Sequence, residues 1–487
     1  MNLKAVLKDI EGLKAKGNLD IEIKGITRDS RQVKEGYLFV AIKGFETDGN
    51  MFIKDAVKNG AVAILVESTA NIKKTDIKEK TTIVVTSNAR LALAKVASNF
   101  YENPSSKLKL IGVTGTKGKT TTTFMIKALL EKCGLKTGLI GTVSNYIGDK
   151  CLGESARTTP ESVELQELFS KMVEEKVDVV IMEISSQSLK LHRVEYLNFD
   201  IGMFTNFSED HISDKEHPDM EDYFNSKLKL LDMCKKFYIN TDDYQVAKIK
   251  KMDTKCEIKT YGIDNGADLL AKDLTVTDVT VDFKVKIGTR NERIKVGLPG
   301  RFNVYNSLVA INVALHFGLD AEKIKEALLD IKVPGRSELV PNKKGLTIMI
   351  DYAHSPESLK SILNTIKNYS RGRLITVFGC GGDRDKTKRP IMGEISGNIS
   401  DFTVITSDNP RTEKPEDIVK EIEKGMKKTK GKYEVVVDRT EAIKYAIDMA
   451  KKTDVIILAG KGHETYQEVN GKKSPYDERK IVKKLIG

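Results

Sequence analysis

The sequence predicts an α/β protein of three domains built mostly on parallel sheets, and three observations predict it. The chain has 487 residues, enough for roughly three units of about 150 residues each. Short apolar runs alternate with helical patterns from Lys109 onward and again from Thr347, and each run closes on a polar loop, as parallel strands joined by helices do. Between those stretches, residues 268–298 change to a period of two in LTVTDVTVDFKVKIG and RIKVGL, which predicts a small antiparallel excursion.

Composition narrows the class. The chain is 40% apolar and 31% charged, an ordinary balance for a globular protein, and no apolar run approaches the roughly 20 residues of a membrane span. MNLKAVLKDIEGLKAKG at the start carries single apolar residues among lysines, with neither a continuous apolar segment nor a small-residue cleavage site, so it reads as a short helix of a cytoplasmic protein. Five scattered cysteines with no C-x-x-C pair fit a reducing compartment and no cysteine-held metal. The formal charge of +11 comes from 80 basic residues interleaved with 69 acidic ones, without an arm or tail. Lysine-rich solvated helices or a polyanionic small substrate account for it as well as nucleic acid does. Aromatic residues are few and tryptophan is absent, so stacking platforms for single strands are not evident.

Residues 1–106 are expected to form the first domain, with strands at 37–42 and 61–66 and helices near 52–59 and 88–101. Its most pointed segment is ITRDSRQVKEGYLFVAIKGFETDG, where Asp29, Ser30 and Arg31 precede a strand and a glycine-bounded stretch at 44–49 follows it. Turn chemistry accounts for Asp and Ser there, and a ligand role is the sharper alternative. NPSSK at 103–107 reads as a linker.

Residues 107–333 are the expected second domain, organised around KLIGVTGTKGKTTTT at 109–123. This is a buried strand that breaks into a glycine loop and opens a helix. Gly115 and Gly118 permit a tight turn whose backbone N–H groups, with those of Thr116, Lys117 and Thr121, can converge on phosphate oxygens at the positive end of the helix dipole. Lys119 would reach the β and γ phosphates and Thr120 would ligate Mg²⁺, so the loop predicts ATP or GTP binding, through a shorter string than the general phosphate-loop pattern. Two further apolar runs end in chemistry: DVVIMEISSQSLKLHRV with Glu183, and FDIGMFTNFSEDHIS with Asn206, Asp210 and His211. Ligands gather at the carboxyl ends of strands in an open α/β sheet, so all three motifs face one crevice. A carboxylate ending a buried run is costly without a metal or a cationic partner; with a nucleotide nearby Glu183 is expected to ligate Mg²⁺, and His211 is either a second-site ligand or a hydrogen-bonded loop histidine. Asn303 and Asn306 fall in the first turn of the next helix, as caps or as amides reading a purine edge.

Residues 334–487 form the expected third domain, Rossmann-like, entered at VPGRSE. Five apolar runs followed by polar loops predict a second parallel sheet: TIMIDYAHSP, LITVFGCGGDRDKTKRP, FTVITSDNPRTEKP, YEVVVDRTEA and DVIILAGKGHETYQ. The GCGGDRD cluster lacks the G-x-G-x-x-G spacing, which removes NAD from consideration.

The order and spacing of these strings resemble the Mur ligase family of peptidoglycan synthesis, in the branch that adds the third amino acid of the peptide stem. The resemblance runs over nearly the whole chain: TRDSR, FVAIKG, GTKGKTT, ARTTPES, MEISSQSL, FTNFSEDH, YFNSK, PGRFNVYN, VPGRSE, DYAHSPESL, FGCGGDRDKTKRP, SDNPR and AGKGHE. It implies a UDP-binding N-terminal domain and an ATP-driven ligation through an acyl phosphate, with Mg²⁺ as the metal, in a cytoplasmic monomer with no nucleic-acid partner and no membrane span. The implied substrates are UDP-N-acetylmuramoyl-L-alanyl-D-glutamate and a diamino acid, meso-diaminopimelate or a similar diacid such as lanthionine.

By the same resemblance Lys119 and Thr120 hold the triphosphate and Mg²⁺, Glu183 and His211 hold metal, and Lys227 is carbamylated to support a second Mg²⁺. Ser30 lies at the uridine end, Thr158, Thr159, Ser185 and Arg193 hold the muramoyl dipeptide, and Asn303 and Asn306 face adenine. Leu191 stands where a family member has a substrate-binding glutamine, and leucine cannot make that hydrogen bond. Arg411 would pair with the distal carboxylate of diaminopimelate, with Arg384, Asp408, Asn409, Gly460 and Glu464 around it; a guanidinium prefers that carboxylate to the ammonium of lysine. Closure about hinges near 103–107 and 333–335 is also implied. A lysine-adding or folylpolyglutamate-type sibling and a basic nucleic-acid ATPase remain the alternative readings.

Overall fold

The computed structural model describes residues 1–45, 47–69, 72, 76–213 and 216–487. Glu46, inside the glycine-bounded stretch singled out above, lies outside them. The chain divides into two compact units, Met1–Asp268 and Leu269–Gly487.

The first unit opens with a five-stranded sheet in the spatial order Lys14–Lys16, Thr82–Val85, Ala61–Val66, Tyr37–Val40, Gly25–Thr27. All pairs are parallel except the edge strand Lys14–Lys16, which runs antiparallel to Thr82–Val85. The helix Ala89–Phe100 begins where Asn88 accepts from the N–H groups of Arg90 and Leu91, a side-chain cap of the preferred kind. The N-terminal helix is a single turn, Leu3–Val6. Asp9 and Gly12 then take positive φ, which no longer helix tolerates. Residues 103–107 are a packed turn rather than an open linker: Asn103 is left-handed and Pro104 and Ser105 are buried.

The larger sheet of this unit places six parallel strands side by side: Glu257–Gly262, Cys234–Asn240, Phe199–Phe204, Lys109–Thr114, Val179–Glu183 and Thr137–Ile140. Two antiparallel strands, Ser144–Ile147 and Lys150–Glu154, extend it. The three central strands are in register, Glu183 opposite Val113 and Phe204 opposite Thr114, so the strand ends that carry polar residues finish level. Leu110, Phe169, Met182, Phe199, Leu230 and Phe237 fill one face.

In the second unit Leu269–Val276, Val281–Ile287 and Arg290–Val296 form the expected antiparallel meander, followed by the helix Arg301–His316. A six-stranded sheet follows in the order Glu338–Leu339, Thr347–Asp351, Val455–Ala459, Leu374–Phe378, Phe402–Ile405, Tyr433–Val435. All five expected parallel strands are present, with Glu338–Leu339 added antiparallel at one edge. Alternation along Thr347–Asp351 sends Met349 into the core on one face and Ile348 and Ile350 into that on the other, as a sheet covered by helices on both sides requires.

Candidate active site

The glycine loop joins the strand Lys109–Thr114 to the helix Lys119–Lys132 through Gly115 at φ 140 and Gly118 at φ 86. A Cβ on Gly115 would stand 2.0 Å from the Thr205 hydroxyl, so only glycine fits. Asn206 closes the loop like a strand partner: its Oδ1 accepts from the Lys117 N–H at 2.9 Å and its Nδ2 donates to the Lys117 carbonyl at 2.9 Å. Thr205 donates to the same carbonyl at 2.7 Å. The Lys119 side chain turns back on the loop and donates to the carbonyls of Gly115 (2.8 Å) and Thr116 (3.0 Å).

Lys227, on the helix Met220–Leu228, is 1% exposed. Its Nζ donates to the Gly115 carbonyl at 2.9 Å and lies 4.4 Å from the Tyr223 ring centre. Burial, with Lys119 nearby, pushes its pKa well below the usual lysine value, against a smaller opposing pull from Asp210. A buried lysine held toward its neutral amine is a nucleophile as well as a base.

Glu183 is also 1% exposed. Its carboxylate accepts from the Thr120 hydroxyl at 3.1 Å, the Thr142 N–H at 2.9 Å and the Thr142 hydroxyl at 3.0 Å. The burial cost is thus met by hydrogen bonds, and the loop threonine and the strand-end carboxylate form one oxygen-rich pair. Thr142 escaped the sequence reading, although it follows the strand Thr137–Ile140 of the same sheet and the strand-end rule could have found it.

His211 is half-exposed at φ 59, with Nδ1 2.6 Å from Glu216 Oε2 and Nε2 3.9 Å from Asp210 Oδ2. Among the described residues no group of three or more His, Cys, Asp or Glu side chains is spaced to hold a metal. His217 is the more deeply set imidazole and was also missed: it is fully buried, with Nδ1 2.6 Å from Asp222 and Nε2 2.9 Å from the Ser186 hydroxyl. It ties the helix of Lys227 to the turn after Glu183, and burial lowers its pKa.

Thr158 and Thr142 share a hydroxyl contact of 3.0 Å. Thr159 donates to the Glu183 carbonyl at 2.9 Å and accepts from the Ser185 N–H at 3.0 Å, and Ser185 caps the helix Ser186–Lys190. Leu191 is the residue that ends that helix. Arg193 is buried with Nε 3.0 Å from Glu161, to which Arg28 and Arg157 also approach at 3.7 and 3.6 Å. Glu161 is therefore the hub of an arginine cluster that motif reading did not see. Ser30 is buried, and its carbonyl accepts from Asn59 at 2.9 Å.

In the second unit the strand Phe402–Ile405 runs into Asp408 and Asn409, both buried. Asn409 Nδ2 donates to Glu464 at 2.8 Å, and its Oδ1 accepts from Lys461 Nζ at 3.1 Å and the Glu468 N–H at 3.0 Å. Burial, reinforced by Asp408, raises the pKa of Glu464. Gly460, at φ 112, lets its strand end pass Asp408: a Cβ there would meet Asp408 Oδ2 at 2.7 Å. Arg411 and the exposed Arg384 flank Gly381, where a Cβ would lie 3.0 Å from Arg411 Nη1 and 3.9 Å from Arg384 Cγ. The structure thus gathers Asp408, Asn409, Arg411, Gly460 and Glu464 at one end of the sheet. It adds Lys461, fully buried, whose role the string AGKGHE did not disclose.

Asn303 and Asn306 are buried on the helix Arg301–His316 but neither is its cap, which is Gly300. Asn303 donates to the Pro299 carbonyl at 2.7 Å and Asn306 donates to Asn303 Oδ1 at 3.0 Å. VPGRSE, DYAHSPESL and AGKGHE also meet: the Tyr352 ring lies 4.5 Å from the Arg336 guanidinium and 4.5 and 4.9 Å from the rings of His354 and His463.

Three family models match in chain order: "Mur ligase family, catalytic domain" over residues 22–107, "Mur ligase middle domain" over 113–314, and "Mur ligase, glutamate ligase domain" over 335–462. A protein of Caldanaerobacter subterraneus named UDP-N-acetylmuramoyl-L-alanyl-D-glutamate--2,6-diaminopimelate ligase is 48% identical over 488 residues, covering 100% of this chain and 99% of its own. One of the same name from Clostridium botulinum is 47% identical at the same coverage. A solved structure of a ligase of that name superposes with a TM-score of 0.69 at 28% identity, covering 100% of this chain and 98% of the other. With relatives this similar along its full length, the chain belongs to the Mur ligase family.

Proposed function

We propose that the protein is an ATP-dependent ligase that joins the D-glutamate carboxylate of UDP-N-acetylmuramoyl-L-alanyl-D-glutamate to an amino group of meso-diaminopimelate or a similar diamino diacid. The relatives named for that reaction support it. The observation that carries it is the meeting of Lys119 and Lys227 on the Gly115 carbonyl, since a phosphate loop with a second, buried amine beside it suits a carboxylate-activating site.

Activation forms a bond from a substrate carboxylate oxygen to the γ phosphorus of ATP, and ADP leaves. The amine then attacks the acyl carbon, inorganic phosphate leaves, and the amine loses a proton. Two like-charged reactants must be brought together in the first step, so the site's work is largely charge neutralisation and alignment. Lys119 exchanges its carbonyl partners for phosphate oxygens, and the N–H groups from Gly115 to Thr121 line the phosphates. Thr120 and Glu183 form an all-oxygen pair that fits Mg²⁺, with His211 and a carbamate on Lys227 as the further ligands; bound Mg²⁺ supplies the positive charge that offsets phosphate and carboxylate. Ser30 takes the uridine end, Thr158, Thr159, Ser185 and Arg193 orient the muramoyl dipeptide, and Asn303 and Asn306 face the adenine. Arg411 reads the distal carboxylate of the diacid, with Arg384, Asp408, Asn409, Gly460 and Glu464 around the rest.

Functionally the chain divides at 1–106, 107–333 and 334–487 into substrate, ATP and amino-acid segments, and the enzyme is a cytoplasmic monomer. No helix among the described residues is long and apolar enough to cross a membrane. The test is product mass and ADP release with ATP, Mg²⁺ and the UDP-muramoyl dipeptide, offering meso-diaminopimelate, lanthionine and lysine separately. Product with the diacids alone is expected. Product mainly with lysine would remove the role given to Arg411, and no product with any of them would remove the ligase assignment.

A further inference from the structure

The hairpin Tyr466–Val469 and Lys472–Pro475, of which only the Glu468 N–H has entered the site so far, is fastened to the SDNPR loop at Asp408, Asn409 and Arg411. Gln467 Nε2 donates to the Asp408 carbonyl at 2.8 Å, and the Glu468 N–H donates to Asn409 Oδ1 at 3.0 Å. The Arg411 N–H donates to the Glu468 carbonyl at 3.1 Å, and the Arg411 carbonyl accepts from the Asn470 N–H at 2.7 Å. Arg411 is held left-handed at φ 51 by this bridge. Its side chain returns to the same hairpin, with Nε 3.4 Å from Glu468 Oε2, while Nη1 donates to the Gly382 carbonyl at 2.6 Å.

We propose that Glu468 is a positioning residue that sets the preference for a diacid by holding the Arg411 guanidinium with its terminal edge presented. The proposal rests on the reading of Arg411 given above. A guanidinium has five N–H groups in a fixed fork. Glu468 engages the Nε flank and Gly382 engages one Nη1 hydrogen. The second Nη1 hydrogen and the Nη2 group remain, and together they form the edge that meets a carboxylate through two parallel bonds. An arginine tethered at only one point would spread its long side chain over many rotamers and lose that alignment. Both side chains of the pair are 23% exposed, so a ligand can reach the arginine without the pair being displaced. The main-chain bonds of residue 468 fasten the hairpin whatever its side chain, so the carboxylate can be removed without releasing the loop.

The experiment compares wild-type enzyme with Glu468→Ala and Glu468→Gln, measuring kcat and KM for meso-diaminopimelate and for lysine, with thermal melting as a fold control. A partly buried ion pair predicts a rise of about three- to five-fold in the diaminopimelate KM of Glu468→Ala, with kcat unchanged and no matching rise for lysine. Glu468→Gln, which keeps the length of the side chain but removes the charge that pairs with Arg411, should show a similar loss. A diaminopimelate KM that stays level or falls in Glu468→Ala overturns the proposal, as does an equal rise for both amino acids. Should Glu468→Ala fail to fold, Glu468→Gln decides through its ratio of diaminopimelate to lysine KM: a ratio raised over wild type supports the positioning role and a ratio near wild type overturns it. If the wild type ligates no diamino acid, it is the assigned reaction that fails, a result read before either variant is compared.

Discussion

The side-chain nitrogens of Lys119 and Lys227 donate to one and the same acceptor, the carbonyl oxygen of Gly115, at 2.8 and 2.9 Å. Two amines on one carbonyl repel as cations, and the deeper one yields: the pKa of Lys227 falls through burial first and Lys119 second. A neutral amine at that place can add to carbon dioxide, which exchanges a would-be cation for an anion. Lys227→Met is therefore expected to lower turnover by at least about 10- to 100-fold, the range for losing a group that supports a metal site, and Lys227→Arg should not restore it. Labelled bicarbonate should give a carbamate carbon signal in the wild type, and its absence there would count against the assignment.

Thr142 gives Glu183 two of its three donors. Thr142→Val deletes the hydroxyl and leaves the backbone N–H. Stability should fall by about 1.5–3 kcal/mol, the cost of one lost bond to a buried charged group, and the Mg²⁺ concentration at half-maximal activity should rise. Thermal melts and a Mg²⁺ titration of the rate measure the two effects separately.

Gly115→Ala meets both a positive φ and the Thr205 hydroxyl at 2.0 Å. The loop must open to admit the methyl group, at a cost of about 1–3 kcal/mol. Nucleotide affinity, followed by calorimetry, should fall much further than the melting temperature indicates, because the same carbonyl anchors both lysines. The compensating double variant Gly115→Ala, Thr205→Ala should regain more stability than affinity.

His463 tests the second unit by pH. Burial, with Arg336 and Arg479 close by, pushes it down to about 3, and its Nδ1 has no hydrogen-bond partner. In an unfolded chain the imidazole titrates near 6.5. Between those two values the unfolded state binds the extra proton, so this group removes stability as pH falls from 6.5 toward 3 and has no such effect above 6.5. His463→Phe should flatten that part of the acid limb and leave melting at pH 8 nearly unchanged. An identical acid limb in the variant would show that other groups set it.

Arg411→Ala, in the proposed amino-acid pocket, should raise the KM for meso-diaminopimelate by about 10- to 100-fold, the worth of a charged hydrogen-bonded pair. Lysine turnover should change little. The ratio of the two specificity constants is the quantity to follow, because a general loss of activity would leave it unmoved.

Much of the architecture was legible in the sequence. The five apolar runs after residue 347 became the five parallel strands of the second sheet, and the period of two at 268–298 became the meander. Both signals are local, because a strand buried on two faces and a strand buried on one must be written differently. Glu183 was legible for a related reason: a carboxylate at the end of the buried run VVIM has to be answered by something. Thr142, His217, Lys461 and Glu468 were not, because each matters through partners far away in the chain. His217 is unremarkable in EHPDM until Ser186 and Asp222 are seen on either side of it. The N-terminal lysine-rich stretch misled in the opposite sense, since its helical spacing is cut short by backbone turns at Asp9 and Gly12.

The double hold of Asn206 on Lys117 has a consequence for the catalytic cycle. The phosphate loop takes its shape from the neighbouring strand rather than from the nucleotide, so its ordering cost is met when the protein folds and is not charged again at each round of binding. Nucleotide can then leave without the loop collapsing behind it. Reloading then asks only that the Lys119 side chain leave its carbonyl partners, with no reordering of the loop backbone. Replacing Asn206 by leucine would convert the loop from a fixed receptor into one that each nucleotide must organise for itself.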